Sequence, residues 1–354
     1  MLYQTKNQHG GDVYGGGITL DFSANTNPLG TPPGVLEAVC RALPRLHRYP
    51  DPYCRRLVQA IAGHEQVPAS YILCGNGAAD LIYTYCAALR PRTAVELAPT
   101  FVEYGAGLAQ VGCRVERYFL HQAQNFDLDE RFLSFLEEKK PEVVFLCNPN
   151  NPTGRLIPLP LLEQILQNCA AQGARLFLDE CFLDLTEDGV SAKSLLAAHP
   201  ELLILKAFTK SYGMAGIRLG YCLCADNALL RRMAAASPPW NVSSPAQSAG
   251  VAALAERDFL QRTLSLVHTE RRWLTDNLTA LGFWVCPSHA NYLLFRGPLG
   301  LREGLLQQGI AIRGCGNYNG LGDGWYRIAV RPHGENEALI TAIRQFCKEK
   351  SLWQ

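Results

Sequence analysis

Four short stretches hold side chains able to do chemistry, and each follows an apolar run. Gly75-Asn76-Gly77-Ala78-Ala79-Asp80 comes directly after the run at 71–74. A glycine turn that opens a helix offers N–H groups and the positive end of the helix dipole to an anion such as a phosphate. By itself it is equally an ordinary capped turn. Cys147-Asn148-Pro149-Asn150-Asn151-Pro152-Thr153-Gly154 follows the run at 142–146. Its two X-Pro units impose a rigid, non-helical turn from which an Asn amide can point inward as a donor. Asp179-Glu180 ends Leu176-Phe177-Leu178. A carboxylate at the end of a buried strand is costly unless it meets a cation or a strong donor, from the protein or from a ligand. Thr209-Lys210 precedes Arg218 by eight residues in a Gly-containing, mostly apolar context. Such burial lowers a lysine's pKa, and a neutral lysine amine forms Schiff bases. Lys206, four residues earlier, is expected to snorkel or to pair with a carboxylate.

Elements must bring these stretches together. Apolar runs at 71–74, 93–97, 142–146, 175–179, 201–205 and 218–224 read as buried strands. Segments with helical spacing lie between them, at 78–89, 101–111, 128–138 and 159–171. This alternation predicts an α/β architecture, three layers with helices on both faces of a mostly parallel sheet. Ligands bind at the carboxyl ends of the strands in such sheets, where all four stretches fall. After Ser237-Pro238-Pro239-Trp240 the pattern changes. A long helical stretch over roughly 244–281, short strands at 283–286, 291–295, 311–313 and 325–330, and a helix from 335 predict a smaller α+β domain. The expected division is an N-terminal segment (1–45) joining the small domain, a large domain (46–240) and the small domain (241–354).

Joint occurrence sharpens the chemistry. A phosphate cradle, an amide donor, a buried carboxylate and a lysine with a trailing arginine fit pyridoxal 5′-phosphate: the lysine bonds its aldehyde, the carboxylate faces its pyridine nitrogen and the arginine grips its phosphate.

Composition excludes other classes. The chain has 354 residues, 48% of them hydrophobic and 18% charged, which suits a large packed core and not a disordered chain. Its 33 basic and 32 acidic side chains leave a net charge of +1, so there is no basic excess for nucleic acid. No uncharged run approaches a membrane span. The N-terminus lacks an apolar signal core, and the thirteen cysteines are scattered without metal-ligand spacing. They read as reduced, mostly buried thiols of a cytoplasmic protein. The closest pair, Cys222 and Cys224, is expected to diverge to opposite faces of a strand.

Asn151-Pro152-Thr153-Gly154, Asp179-Glu180 and Thr209-Lys210 through Arg218 resemble the signature of the fold-type I pyridoxal-phosphate enzymes in the class I/II aminotransferase superfamily, and the resemblance runs along nearly the whole chain. It implies that Lys210 bonds the cofactor and Asp179 pairs with its pyridine nitrogen. Asn151 would donate to the ring oxygen and Phe101 stack on the ring. Gly77, Ala78, Ala79, Thr209 and Arg218 would hold its phosphate. Tyr49, in Arg48-Tyr49-Pro50-Asp51, matches a tyrosine that reaches the cofactor from a partner subunit, so a homodimer with shared active sites is implied. Two positions depart from relatives: Ala207 replaces a hydroxyl residue three before the lysine, and Phe182 replaces a tyrosine three after the aspartate.

Within the superfamily, two groups are nearest: histidinol-phosphate aminotransferases and the threonine-phosphate decarboxylases of cobalamin biosynthesis. His9-Gly10-Gly11, Asp21 to Gly30, Phe101-Val102-Glu103-Tyr104-Gly105, Phe182, Ala290 to Leu294, Arg313 with Asn317-Tyr318, and Tyr326 to Arg331 resemble the decarboxylases. The implied substrate is a phosphorylated amino acid. Arg327 would take its carboxylate and Arg313 its phosphate, as guanidinium forks suit both. His9, Asn25 and Asn151 complete the expected substrate contacts.

Overall fold

The structure, a computed structural model, describes residues 9–350. The chain enters through a short strand β1 (Leu20–Asp21) and helix α1 (Pro33–Ala42). The alternating region then runs α2 (Arg55–Glu65), β2 (Ile72–Gly75), α3 (Ala78–Leu89), β3 (Thr93–Ala98), α4 (Glu103–Gln110), β4 (Arg114–Phe119), α5 (Arg131–Lys139), β5 (Val143–Cys147), α6 (Leu159–Gln172), β6 (Arg175–Asp179), β7 (Leu202–Ala207), α7 (Phe208–Ser211), β8 (Gly220–Cys224) and α8 (Asn227–Ala236). The remainder is α9 (Ser244–Ala253), α10 (Phe259–Ala280), β9 (Trp284–Val285), β10 (Tyr292–Arg296), α11 (Leu301–Gln307), β11 (Ile310–Ala311), β12 (Arg313–Gly314), β13 (Trp325–Ala329) and α12 (His333–Glu349).

Seven strands form the large sheet in the order β2-β8-β7-β6-β5-β3-β4, with two separate apolar cores on its faces. This is the three-layer α/β architecture the apolar runs predict. Val143–Cys147 and Leu202–Ala207 are buried at every residue, as strands covered on both faces must be. All strands run parallel except β8, which is antiparallel to both β2 and β7. That reversal matters for the site. The carboxyl ends of β2, β3, β5, β6 and β7 share one rim, and β8 begins at that rim. Arg218, just before β8, is thereby delivered beside residues that follow the other strands.

The sequence reading missed β4. Its residues Arg-Val-Glu-Arg-Tyr-Phe are half-exposed because the strand is an edge of the sheet, so no continuous apolar run marks it. The helical stretch expected over roughly 244–281 divides into two helices. Ser243 caps α9 by accepting from the Ala246 N–H, and the chain turns at 254–258 before α10. Residues of α9 lie in the core under the large sheet, whereas Leu274 and Leu278 of α10 lie in the core of the small sheet. We propose that the division between the domains falls in this helix pair and not at residue 240.

The smaller sheet, β12-β13-β10-β9, is antiparallel. The N-terminal segment is sewn onto it: β1 pairs parallel with β11, the Phe22 N–H donates to the Ala311 carbonyl, and the Ala329 N–H donates to the Phe22 carbonyl. All thirteen cysteines are free thiols and all but Cys40 and Cys74 are buried. Cys222 and Cys224 do not diverge. Residues two apart on a strand share a face, and both thiols lie in one core. Among the described residues no helix is long and apolar enough to cross a membrane, and no cluster could hold a metal ion.

Candidate active site

A cavity of about 470 Å³ opens at the shared rim, between the large sheet, the small sheet and the N-terminal segment. His9, Asn25, Ala78, Ala79, Phe101, Asn151, Asp179, Thr209, Lys210, Arg218, Arg313 and Arg327 line it. These residues come from every part of the chain, and the sequence reading named each of them. Four cations (Lys210, Arg218, Arg313 and Arg327) face two carboxylates (Asp179 and Glu103). The cavity is built for anions.

Gly77 and Tyr49 stand outside the lining. Gly77 sits at the N-terminal cap of α3 with φ of 86°, where an L side chain is strained. A Cβ there would lie 2.8 Å from Nη2 of Arg218. The cap has no side-chain hydrogen bond, so the N–H groups of Ala78 and Ala79 point toward the space beside the Arg218 guanidinium. Tyr49 is 78% exposed and stacks on Trp240 at 4.5 Å. Within its own chain it does not reach the cavity.

Lys210 follows the buried β7 on the short helix α7. Burial, then the charges of Arg327 and Arg218, lower its pKa to about 8, with Cys181 and Asp179 acting against them. Its Nζ lies 5.3 Å from the centre of the Phe182 ring, so the amine meets an apolar ring. Asp179 ends β6 and is buried. Burial raises its pKa, and the Cys181 thiol, the Tyr104 hydroxyl at 2.6 Å and the Cys181 N–H at 2.9 Å hold the rise back. Asn151 accepts at 2.6 Å from Nη1 of Arg327, whose Nη2 donates to the Ser23 carbonyl at 2.8 Å.

Arg313 and Arg327 are directly opposite in the β12–β13 register and each is 6% exposed. Two like charges paired across strands repel. Their hydrogen-bond acceptors are all neutral: the Gly314 carbonyl and Asn317 for Arg313, and Asn151 and the Ser23 carbonyl for Arg327. Among the described residues neither guanidinium makes an ion pair. Both side-chain atoms of Asn25 and Nε of Arg327 are buried without a hydrogen-bond partner there. Orphaned donors of this kind ask for a ligand. His9, at the mouth, contacts Glu103 at 2.8 Å, and the Tyr83 hydroxyl donates to the other Glu103 oxygen at 2.6 Å.

These features fit pyridoxal 5′-phosphate: a helix N-terminus and a guanidinium where its phosphate would go, a buried carboxylate where its ring nitrogen would go, and a lysine of lowered pKa between them. Lys206 takes no part. It is buried between Asp184 at 2.8 Å and Glu65 at 3.3 Å. The cavity also holds Tyr104, Cys147, Cys181 and Tyr318, which the sequence reading did not place in a site. Tyr104 and Tyr318 had a signal, since both fall in stretches that resemble the decarboxylases, Phe101 to Gly105 and Arg313 with Asn317-Tyr318.

Residues 18–346 match the family described as aminotransferase class I and II. The threonine-phosphate decarboxylase of Salmonella typhimurium is 40% identical over 331 residues, covering 92% of this chain and 90% of that protein. A histidinol-phosphate aminotransferase of a Geobacillus species is 33% identical, covering 96% and 93%. The solved histidinol-phosphate aminotransferase of Clostridium acetobutylicum superposes with a TM-score of 0.87 at 28% identity, covering 93% of this chain and 99% of that one. With a family match spanning most of its length and a cavity assembled from that family's motifs, the chain belongs to the aminotransferase class I and II family.

Proposed function

We propose that this chain is a pyridoxal-phosphate-dependent carboxy-lyase. It releases CO2 from L-threonine O-3-phosphate to leave (R)-1-aminopropan-2-yl phosphate, with L-serine O-phosphate as the neighbouring substrate. One observation carries the reading. Arg313 and Arg327 are buried, paired across two strands and, among the described residues, free of carboxylate partners, in the cavity that also holds Lys210. Two such cations beyond Arg218 call for two anionic groups on the substrate. A phosphorylated amino acid has both a phosphate and a carboxylate in one molecule, whereas in amino transfer histidinol phosphate would bring only the phosphate and the 2-oxo acid the carboxylates. Likeness to the Salmonella decarboxylase supports the same choice.

Gly77, Ala78, Ala79, Thr209 and Arg218 would hold the cofactor phosphate, Asp179 its ring nitrogen, Asn151 its ring oxygen, Phe101 its face and Lys210 its aldehyde carbon. Once bound, the cofactor supplies an electron sink for the bond broken at Cα. Arg327 takes the carboxylate and Arg313 the phosphate, which orients the substrate by two forks. Asn25 offers an amide donor and acceptor to the same ligand. Lys210, with a pKa of about 8, can receive a proton and return it at Cα after CO2 departs. Tyr49 acts from a second copy of the chain, and the working unit is a homodimer.

The resemblance to histidinol-phosphate aminotransferases supports a second reading, amino transfer to a 2-oxo acid. Incubation of holoenzyme with threonine phosphate or serine phosphate, with no 2-oxo acid present, separates the two. Stoichiometric CO2 is expected. Absence of CO2, with an aminated cofactor that needs 2-oxoglutarate to recover, would sink the proposal.

A further inference from the structure

Tyr104 belongs to α4, and its ring is completely buried. It meets Phe101 edge-on at 5.6 Å and stacks on Phe145 at 5.5 Å. Its hydroxyl donates to Oδ2 of Asp179 at 2.6 Å. The Cys181 N–H donates to Oδ1. Each carboxylate oxygen therefore has a phenol or backbone donor, and the Cys181 thiol acts on the same carboxylate. Cys147 lies opposite Asp179 in the β5–β6 register, so the walls around the carboxylate are apolar or thiol. Such walls favour the uncharged acid. A donor on the charged form opposes them.

We infer that Tyr104 is a positioning residue: its hydroxyl holds Asp179 ionised and aimed at the cofactor's ring nitrogen, while its ring backs Phe101. Burial and the Asp179 charge raise the phenol's own pKa well above its usual value, so the proton stays on Tyr104 and the bond persists throughout the working pH range. The inference rests on the reading of Asp179 as the partner of that nitrogen.

The test compares two probes on the full chain: pyridoxal 5′-phosphate and its 1-deaza analogue, in which a C–H replaces the ring nitrogen. Apoenzyme is titrated with each, and the ratio of the two dissociation constants is read for wild type, Tyr104→Phe and Asp179→Asn. Because the ratio is internal to each variant, a general loss of packing cancels. Wild type is expected to prefer the natural cofactor, Asp179→Asn to abolish the preference, and Tyr104→Phe to reduce it about tenfold, the worth of one charge-assisted hydrogen bond. A ratio unchanged in Tyr104→Phe but abolished in Asp179→Asn overturns the role of Tyr104 and leaves Asp179 standing. A ratio that survives Asp179→Asn overturns both. Equal weakening of both probes by Tyr104→Phe reduces Tyr104 to a core ring.

Discussion

Two lysines four residues apart, Lys206 buried and Lys210 half-buried at the cavity wall, show how the regions around them differ. Lys206 sits in an ion cluster with Asp184 and Glu65, and Glu65 also takes Lys193 at 2.9 Å and the Tyr221 hydroxyl. Burial works against the Lys206 charge, but Asp184, Glu65 and Glu180 overcome it and hold its pKa above the usual lysine range. In return, against its own burial, Lys206 helps to hold Glu65 down at about 2. At Lys210 burial, joined by the charges of Arg327 and Arg218, outweighs Cys181 and Asp179, and its pKa falls to about 8. Burial alone does not make a lysine reactive. Burial left uncompensated by neighbouring carboxylates does. The two regions are also joined: Ser211, next to Lys210, donates to Asp184 at 3.0 Å, so the ion cluster anchors the short helix that carries the reactive amine.

Replacing each lysine should separate their roles. Lys210→Ala is expected to reduce turnover by at least about a thousandfold, with folding retained. It should also remove borohydride-trappable cofactor on the peptide; trapped cofactor at another lysine would defeat the assignment. Lys206→Met should do the converse. Removing the buried Lys206 charge leaves the half-buried Asp184 without its cation and Glu65 with Lys193 alone, a loss of up to about 3–5 kcal/mol, read as a lower denaturation midpoint, while the residual folded enzyme still bonds the cofactor. An unchanged midpoint would show that the cluster is not a structural anchor.

Smaller effects are expected at the arginine pair. Arg313→Gln should raise KM for threonine phosphate about ten- to a hundredfold, since a charge-assisted hydrogen bond is worth roughly 1.5–3 kcal/mol, with less effect on kcat. A fall confined to kcat would place Arg313 away from the substrate phosphate. The smallest effect is a pH profile. The Lys210 pKa is depressed from the usual 10.5, so its neutral amine accumulates as pH rises through about 8. Cofactor capture by apoenzyme should accelerate over pH 7 to 9 and level off above it. A rise centred near 10 would mean that Arg327 and Arg218 do not act on Lys210.

Much of the fold and most of the cavity lining are legible in the residues. Val143–Cys147 and the first four residues of β7 announce themselves as continuous apolar runs, and the polar residues just past such runs are where a parallel sheet puts ligands. Legibility fails where a feature depends on a neighbour distant in sequence. β4 is hidden because an edge strand need not be apolar. The break before α10 is hidden because helical spacing continues on either side of it, while the packing partners change from the large sheet's core to the small one's.

The sequence by itself determined which residues follow each buried strand, and hence that a cradle, a carboxylate, an amide and a lysine would share one rim. Local run lengths and turn residues suffice for that. Only the tertiary structure decided that β8 runs backward and delivers Arg218 to this rim, that Arg313 and Arg327 face each other across two strands, and that Tyr104 reaches Asp179. It likewise decided which lysine meets carboxylates and which meets arginines. These outcomes depend on strand direction, register and charges brought close from far along the chain, and electrostatic interaction follows distance in space, not separation in sequence.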